Sequence, residues 1–375
     1  MKQEANSNAE PFHNSASPLI VNFGGGVDST AILVGLVRRF RAGDSTARPA
    51  LVIFADTGSE LPETYDNVER VSAWLTLNDF PAVTVVSRPS EIKGRAGYKT
   101  LEENCLVNET LPGEAFGRGN CSCKWKHEPM DKFLYGGKRP DRAGWLVENG
   151  HEGQKPTKCI GYDATEAQSG KRAKNVKLTE DDRARYRYPL VEWSWTRERC
   201  EQEIAAEGIA VPVKSACFFC PNQRPCELRT MAENHPALFL RALVIEEVAR
   251  LGRHGLTTIE GLWRRTRKSD GRSGSWVEWA RVEGLLAEAE RRTGTTLAEL
   301  VKTAKPELGA AVTVDETPAP LPSVKPKRET VVALVARLSV ENPDARFAEL
   351  VALAVDSGAN ENTARGALVR MKAAA

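Results

Sequence analysis

The sequence contains no stretch approaching the ~18 consecutive apolar residues that a membrane helix needs. Its opening segment, MKQEANSNAEPFHNSASP, is polar, mixed in charge and without an apolar signal core. These absences lead to the expectation of a cytoplasmic protein with no membrane partner. Histidine is scarce, at five in 375 residues, which leaves little for a His-rich metal centre. Neither sign of charge dominates: 52 Lys and Arg stand against 50 Asp and Glu, for a net charge of +2. The chain as a whole therefore neither demands nor forbids a polyanionic partner. Cysteine is missing from everything that follows Cys226, so no thiol sits on a C-terminal tail. What remains is ordinary for a globular protein, with 41% apolar residues and enough length for two domains or one with an appendage.

Residues 1–17 read as disordered. Two buried strands are expected at PLIVNF and ALVIFAD and a third strand at AVTVVS, separated by helices at STAILVGLVRRF and after TGSELPETYDNV. This alternation predicts an α/β fold, a doubly wound parallel sheet with helices on both faces. A Gly-rich region with short helices follows, then a strand at KCIGYDATEAQ, and the nucleotide-binding domain is expected to span 18–230. A helical extension, 231–302, carries many arginines. A Pro-rich linker, 303–328, leads to a small helical module, 329–375, whose RFAELVALAVDSGANENTARGALVRMK has the look of a helix–turn–helix. A generic helical interaction bundle is the alternative reading of that module.

The most informative stretch is VNFGGGVDSTAILVGL. A strand that ends in Gly24, Gly25 and Gly26 and turns straight into a helix builds an anion site, because backbone without Cβ atoms comes close to a ligand. The N–H groups of the first helical turn face that ligand, and Asp28, Ser29 and Thr30 are expected to cap the helix. A tight turn that binds nothing is the plain alternative. The pattern is neither a P-loop, which needs Lys-Ser/Thr after the last glycine, nor G-x-G-x-x-G.

GGGVDST resembles the pyrophosphate-binding loop, Ser-Gly-Gly-x-Asp-Ser, of the PP-loop ATP pyrophosphatase (adenine nucleotide alpha hydrolase-like) superfamily. Gly25, Gly26, Asp28 and Ser29 match, and Gly24 stands where that loop has Ser. FADTGSELPETYDNV resembles a second signature of the phosphoadenosine phosphosulfate reductase branch, with Asp56, Thr57 and Gly58 beside the loop. IGYDATEAQSGKR is similar to a Gly-x-Arg-x-x-Glu segment: Gly161 and Glu166 match and Asp163 replaces Arg. YPLVEW and CSCKWKHEPM are similar to its Pro-Leu-x-x-Trp and Cys-x-x-x-Lys-x-x-Pro elements.

The resemblance implies binding of ATP with Mg²⁺, cleavage between the α and β phosphates, and adenylation of an acceptor. The acceptor would be a nucleic acid, DNA or RNA, with sulfur transfer from a sulfur-donor protein as an extension. Asp28, Ser29, Lys124 and Arg172 are the candidate catalytic residues, and Lys126 and Lys171 are further cations for the phosphates. The arginines of 241–293, as in WRRTRK, could lie along a phosphate backbone, or form a solvated face. Two rivals stand beside this reading. One is a sulfonucleotide reductase, against which the missing C-terminal thiol counts. The other is a decayed, nucleotide-sensing DNA-binding protein.

Eight cysteines in a reducing compartment need explaining. Cys217, Cys220 and Cys226 are spaced as metal ligands, with Cys121 or Cys123 as the fourth and Cys159 a weaker choice. Four thiolates can hold a 4Fe–4S cluster or a zinc ion, and softness alone does not separate the two. Cys105, Cys159 and Cys200 read as buried thiols.

Overall fold

A computed structural model describes residues 11–14, 16–88, 98–137, 143–165 and 174–305. The chain divides into two compact units, Met1–Thr313 and Val314–Ala375, and every described residue lies in the first. The expected linker beyond 305 and the C-terminal module, like Glu166, Lys171 and Arg172, lie outside the described residues.

Five parallel strands form one sheet: β1 (Leu19–Asn22), β2 (Leu51–Asp56), β3 (Val83–Ser87), β4 (Thr157–Cys159) and β5 (Arg185–Arg187). Their order is β3-β2-β1-β4-β5. The chain moves outward from β1 to β3, then returns to lay β4 on the other side of β1. Right-handed crossovers in opposite directions put helices on opposite faces. One face carries α1 (Val27–Arg41) and α2 (Pro62–Thr76), the other α4 (Glu128–Tyr135), with α3 (Leu101–Val107) and α5 (Trp145–Glu148) nearby in sequence. The fold is doubly wound, as the sequence predicts.

The two faces are legible residue by residue. Leu19, Val21, Val52 and Phe54 pack with Ile32, Leu33 and Leu36 of α1 and Val71 of α2. Ile20, Leu51, Ile53 and Ala55 point the other way, onto Met130 and Leu134 of α4. Strands buried on both faces need unbroken apolar runs, and these have them. After β5 come α6 (Pro189–Glu192) and α7 (Arg197–Ala206), and α7 packs along α1. There Gly35 lies directly under an indole: a Cβ at this position would sit 2.3 Å from Trp193 Cζ3. Gly35→Ala is expected to lower stability by roughly 1–3 kcal/mol through overpacking, read by urea unfolding. An unchanged midpoint would mean that Trp193 moves aside freely.

The remaining helices are α8 (Pro225–Asn234), α9 (Pro236–Leu251), α10 (Trp276–Val282), α11 (Leu285–Thr293) and α12 (Leu297–Ala304). They build a second core around Phe239, Leu243, Trp263 and Trp276. Leu101, Cys105, Trp125, Phe218 and Phe219 also belong to it. The helical half thus recruits segments from well before residue 231.

The N-terminal reading is corrected in part. Phe12 is buried against Trp193 with the Arg187 guanidinium over its ring, and its N–H bonds Asp44 Oδ2 at 3.2 Å. Burying that ring and pairing its backbone fixes residues 11–14 and 16–17, which the polar composition around them conceals.

Candidate functional site: a glycine loop at the sheet switch point

The strand order reverses between β1 and β4, and the glycine loop lies at the carboxyl end of β1. In open parallel sheets this is where ligands bind. Gly25 has φ +71°, and a Cβ there would lie 2.9 Å from Thr64 Cγ2. Gly26 is equally close-packed, since its Cβ would meet Ser215 Oγ at 2.8 Å. Asn67 Nδ2 donates to the Gly25 carbonyl at 3.0 Å and pins the loop from α2.

The expected cap is not formed. Gly26 occupies the N-cap of α1 with no side-chain hydrogen bond. Ser29 and Thr30 turn back on the loop instead. Ser29 Oγ accepts from the Gly24 N–H at 3.0 Å and donates to the Gly26 carbonyl at 3.2 Å, to which Thr30 Oγ1 also donates at 2.9 Å. These hydroxyls brace the loop and leave the helix N-terminus uncapped. That is the arrangement suited to an anionic ligand. Gly161, just past β4, closes the floor: a Cβ there would stand 3.1 Å from both Asp28 Cβ and the Ser29 nitrogen.

The loop opens into a cleft of about 770 Å³ lined also by Arg197, Lys214, Ser215, Arg224 and Glu227. Among the described residues its cations are Arg197, Lys214 and Arg224, none of them singled out in the sequence. Arg197 Nη1 is 2.9 Å from Asp28 Oδ1, and its Nη2 is 3.4 Å from Oδ2 of the buried Asp163. On the far wall Glu227 takes both Lys214 (3.0 Å) and Arg224 (2.8 Å). Burial works against the Glu227 charge, but the Arg224 N–H and these two cations prevail and hold its carboxyl below the usual range. Lys124 is exposed and lines a separate cleft near Leu101 and Cys121. Lys126 pairs with Glu60 at 3.0 Å. No local signal could have found Arg197, because its partners come from distant segments.

Asp56, Thr57 and Gly58 do lie at the end of β2, where they bond to other groups of the protein. Asp56 Oδ1 accepts from the Gly58 N–H and the Tyr65 hydroxyl, both at 2.7 Å. Burial first, and then Asp56, push the Tyr65 hydroxyl well above its ordinary range, so it remains a donor. Thr57 Oγ1 donates to Glu60 Oε1 at 3.2 Å and lies 3.3 Å from Cys217 Sγ.

The cysteines do not fit a resident metal. Among the described residues no group of three or more His, Cys, Asp or Glu is placed to hold one. Cys217 and Cys220 share a turn closed by the Cys220 N–H on the Cys217 carbonyl at 2.9 Å. Glu60 Oε1 accepts from the Cys217 thiol at 3.8 Å and pairs with the Lys126 ammonium at 3.0 Å, so Cys217 already has partners within the protein. Burial, reinforced by Glu60, pushes the Cys217 thiol far up. Cys121 accepts from the Glu114 N–H at 3.4 Å, while Cys123 and Cys226 are exposed. Cys226 lines a smaller, largely apolar pocket that shares Lys214, Arg224 and Glu227 with the main cleft.

Most of the arginine-rich surface is internally balanced. Arg241, Arg250, Arg253, Arg267, Arg281 and Arg291 each pair with a carboxylate. Among the described residues no helix is long and apolar enough to cross a membrane. No protein-family model matches the chain, and no curated protein matches it either.

Proposed function

We propose that this chain is an adenine-nucleotide enzyme of the ATP pyrophosphatase kind, which binds ATP as its Mg²⁺ complex and adenylates an acceptor. The observation that carries this reading is the uncapped N-terminus of α1 behind a close-packed glycine loop, at the β1/β4 switch point, facing a cleft that Arg197, Lys214 and Arg224 line. Among the described residues, Asp28, Glu201 and Glu227 line the same cleft as Arg197, Lys214 and Arg224, so these side-chain charges balance. A triphosphate meeting balanced charges brings its own excess, which favours arrival as the magnesium complex. Backbone N–H groups and Arg197 would hold the departing pyrophosphate while an acceptor oxygen attacks the α phosphorus, a reaction that needs positioning and charge neutralisation. The acceptor class in this reading is a nucleic acid, with sulfur transfer from a partner protein as a following step.

A second reading, reduction of a sulfonucleotide, has one observation in its favour: the exposed Cys226 lies in the pocket adjoining the cleft. One experiment separates the two. Pyrophosphate release from MgATP is measured with DNA, with RNA and with neither. Release stimulated by one nucleic acid is expected. Absence of release, together with sulfite production from a sulfonucleotide that Cys226→Ser abolishes, would replace adenylation by reduction. Nucleotide binding with neither turnover would leave the sensor.

A further inference from the structure

We propose that Arg197 is the side chain that meets the phosphates at the glycine loop, and that the buried Asp163 sets its position. This inference rests on the nucleotide reading above. Asp163 is 1% exposed, on the loop that follows β4. A carboxylate so placed must be satisfied by hydrogen bonds and a counter-charge. Its Oδ1 accepts from the Thr165 N–H at 2.8 Å, and its Oδ2 faces the Arg197 guanidinium. Arg197 opens α7 behind a Thr196 cap. A cation in a first helical turn is opposed by the helix dipole. Two carboxylates, Asp28 and Asp163, offset that cost and span the guanidinium fork.

The consequence is a cation fixed at the mouth of the loop. Arg197 keeps 37% of its side-chain surface open, so the group is presented and not buried. Lys214 and Arg224 are held on Glu227 across the cleft, whereas Arg197 is in ion-pair contact with Asp28 of the loop's own helix. A planar fork with several donors suits phosphate oxygens better than a lysine does. Asp163 stands where the resembling pattern has arginine. The chain thus carries an acid at that position and supplies the guanidinium from α7.

The test is calorimetric titration of inorganic pyrophosphate and of MgATP into the full-length protein and its variants, with melting temperatures as the fold control. Arg197→Ala is expected to weaken pyrophosphate binding about 10- to 100-fold and to flatten its dependence on salt. Arg197→Lys, which keeps the charge without the fork, should fall between, and it serves where the alanine variant fails to fold. Asp163→Asn should cost about fivefold in the parent and nothing further in the Arg197→Ala background, the signature of a residue acting through another. Equal losses from Asp163→Asn in both backgrounds would overturn the positioning role. Pyrophosphate affinity within twofold of the parent in folded Arg197→Ala and Arg197→Lys, with binding still abolished by Gly25→Ala, would overturn the role of Arg197 while leaving the loop as the phosphate site. A parent protein that binds neither pyrophosphate nor MgATP would overturn the nucleotide reading and this inference with it.

Discussion

Gly25→Ala is expected to reduce pyrophosphate release from MgATP by about 10²-fold or more, with a matching loss of nucleotide affinity. Two independent costs fall on this substitution. The first is conformational: φ at Gly25 is +71°, a region that an L side chain enters at roughly 1–2 kcal/mol. The second is steric: the new Cβ would lie 2.9 Å from Cγ2 of Thr64, a buried β-branched residue near the start of α2 with little rotamer freedom. The backbone would relieve both by moving, and the N–H groups proposed to cradle the phosphate would move with it. Melting temperature controls for global unfolding. Wild-type turnover in a folded Gly25→Ala protein would mean that the loop is not the phosphate site.

Gly24 supplies the contrast. A Cβ there meets nothing closer than Ser29 Oγ at 3.7 Å, an ordinary contact, and its backbone lies outside the left-handed region. Gly24→Ser, which restores the residue of the resembling pattern, should fold normally and keep nucleotide affinity within about threefold. The glycine at this position is a missing hydroxyl and not a steric requirement. A large gain in turnover on restoring it would favour a chain that had lost activity.

The parts legible in the sequence are those governed by local physics. β1, β2, α1 and α2 were readable because a strand buried on both faces must be continuously apolar, and because Gly24–Gly26 and Pro62 punctuate the helix starts. The glycine loop was readable for the same reason. The direction taken by Ser29 and Thr30 was not. A hydroxyl after a strand can cap the helix or turn back on the loop, and Asn67, far along the chain, helps to choose by holding the Gly25 carbonyl. Arg197 was invisible because its role exists only once α7 lies along α1. The surroundings of Cys217 were not legible either, because spacing says nothing of Glu60, which takes both the Cys217 thiol and the Lys126 ammonium.

Glu246→Ala is expected to destabilise the protein by roughly 3–6 kcal/mol in urea unfolding. Glu246 is 1% exposed in the middle of α9, where the sequence pattern calls for an apolar residue. Its Oε2 accepts from the Leu262 N–H at 2.7 Å and the Trp276 N–H at 3.0 Å. Its Oε1 accepts from the Val277 N–H at 3.0 Å and from the Ser275 hydroxyl. One carboxylate therefore satisfies the turn before Trp263 and the first turn of α10. Gly261 permits the approach, since a Cβ there would lie 2.3 Å from Glu246 Oε2. Alanine leaves three backbone donors buried without an acceptor and opens a cavity among Trp263, Trp276 and Leu243. The charge also carries a pH signature. Burial raises the Glu246 pKa and outweighs the opposing pull of Ser275 and the three N–H groups, so the folded value lies above the ordinary 4.5. The folded state then holds this proton more tightly than the unfolded chain. The stability it contributes is complete below pH 4.5 and is lost as pH rises through the folded pKa. Glu246→Gln removes that titration, so the advantage of wild type over the glutamine variant should shrink over the same range. A difference independent of pH, or an alanine variant within 1 kcal/mol of wild type, would mean that these donors find other partners and that the carboxylate does not organise the helical core.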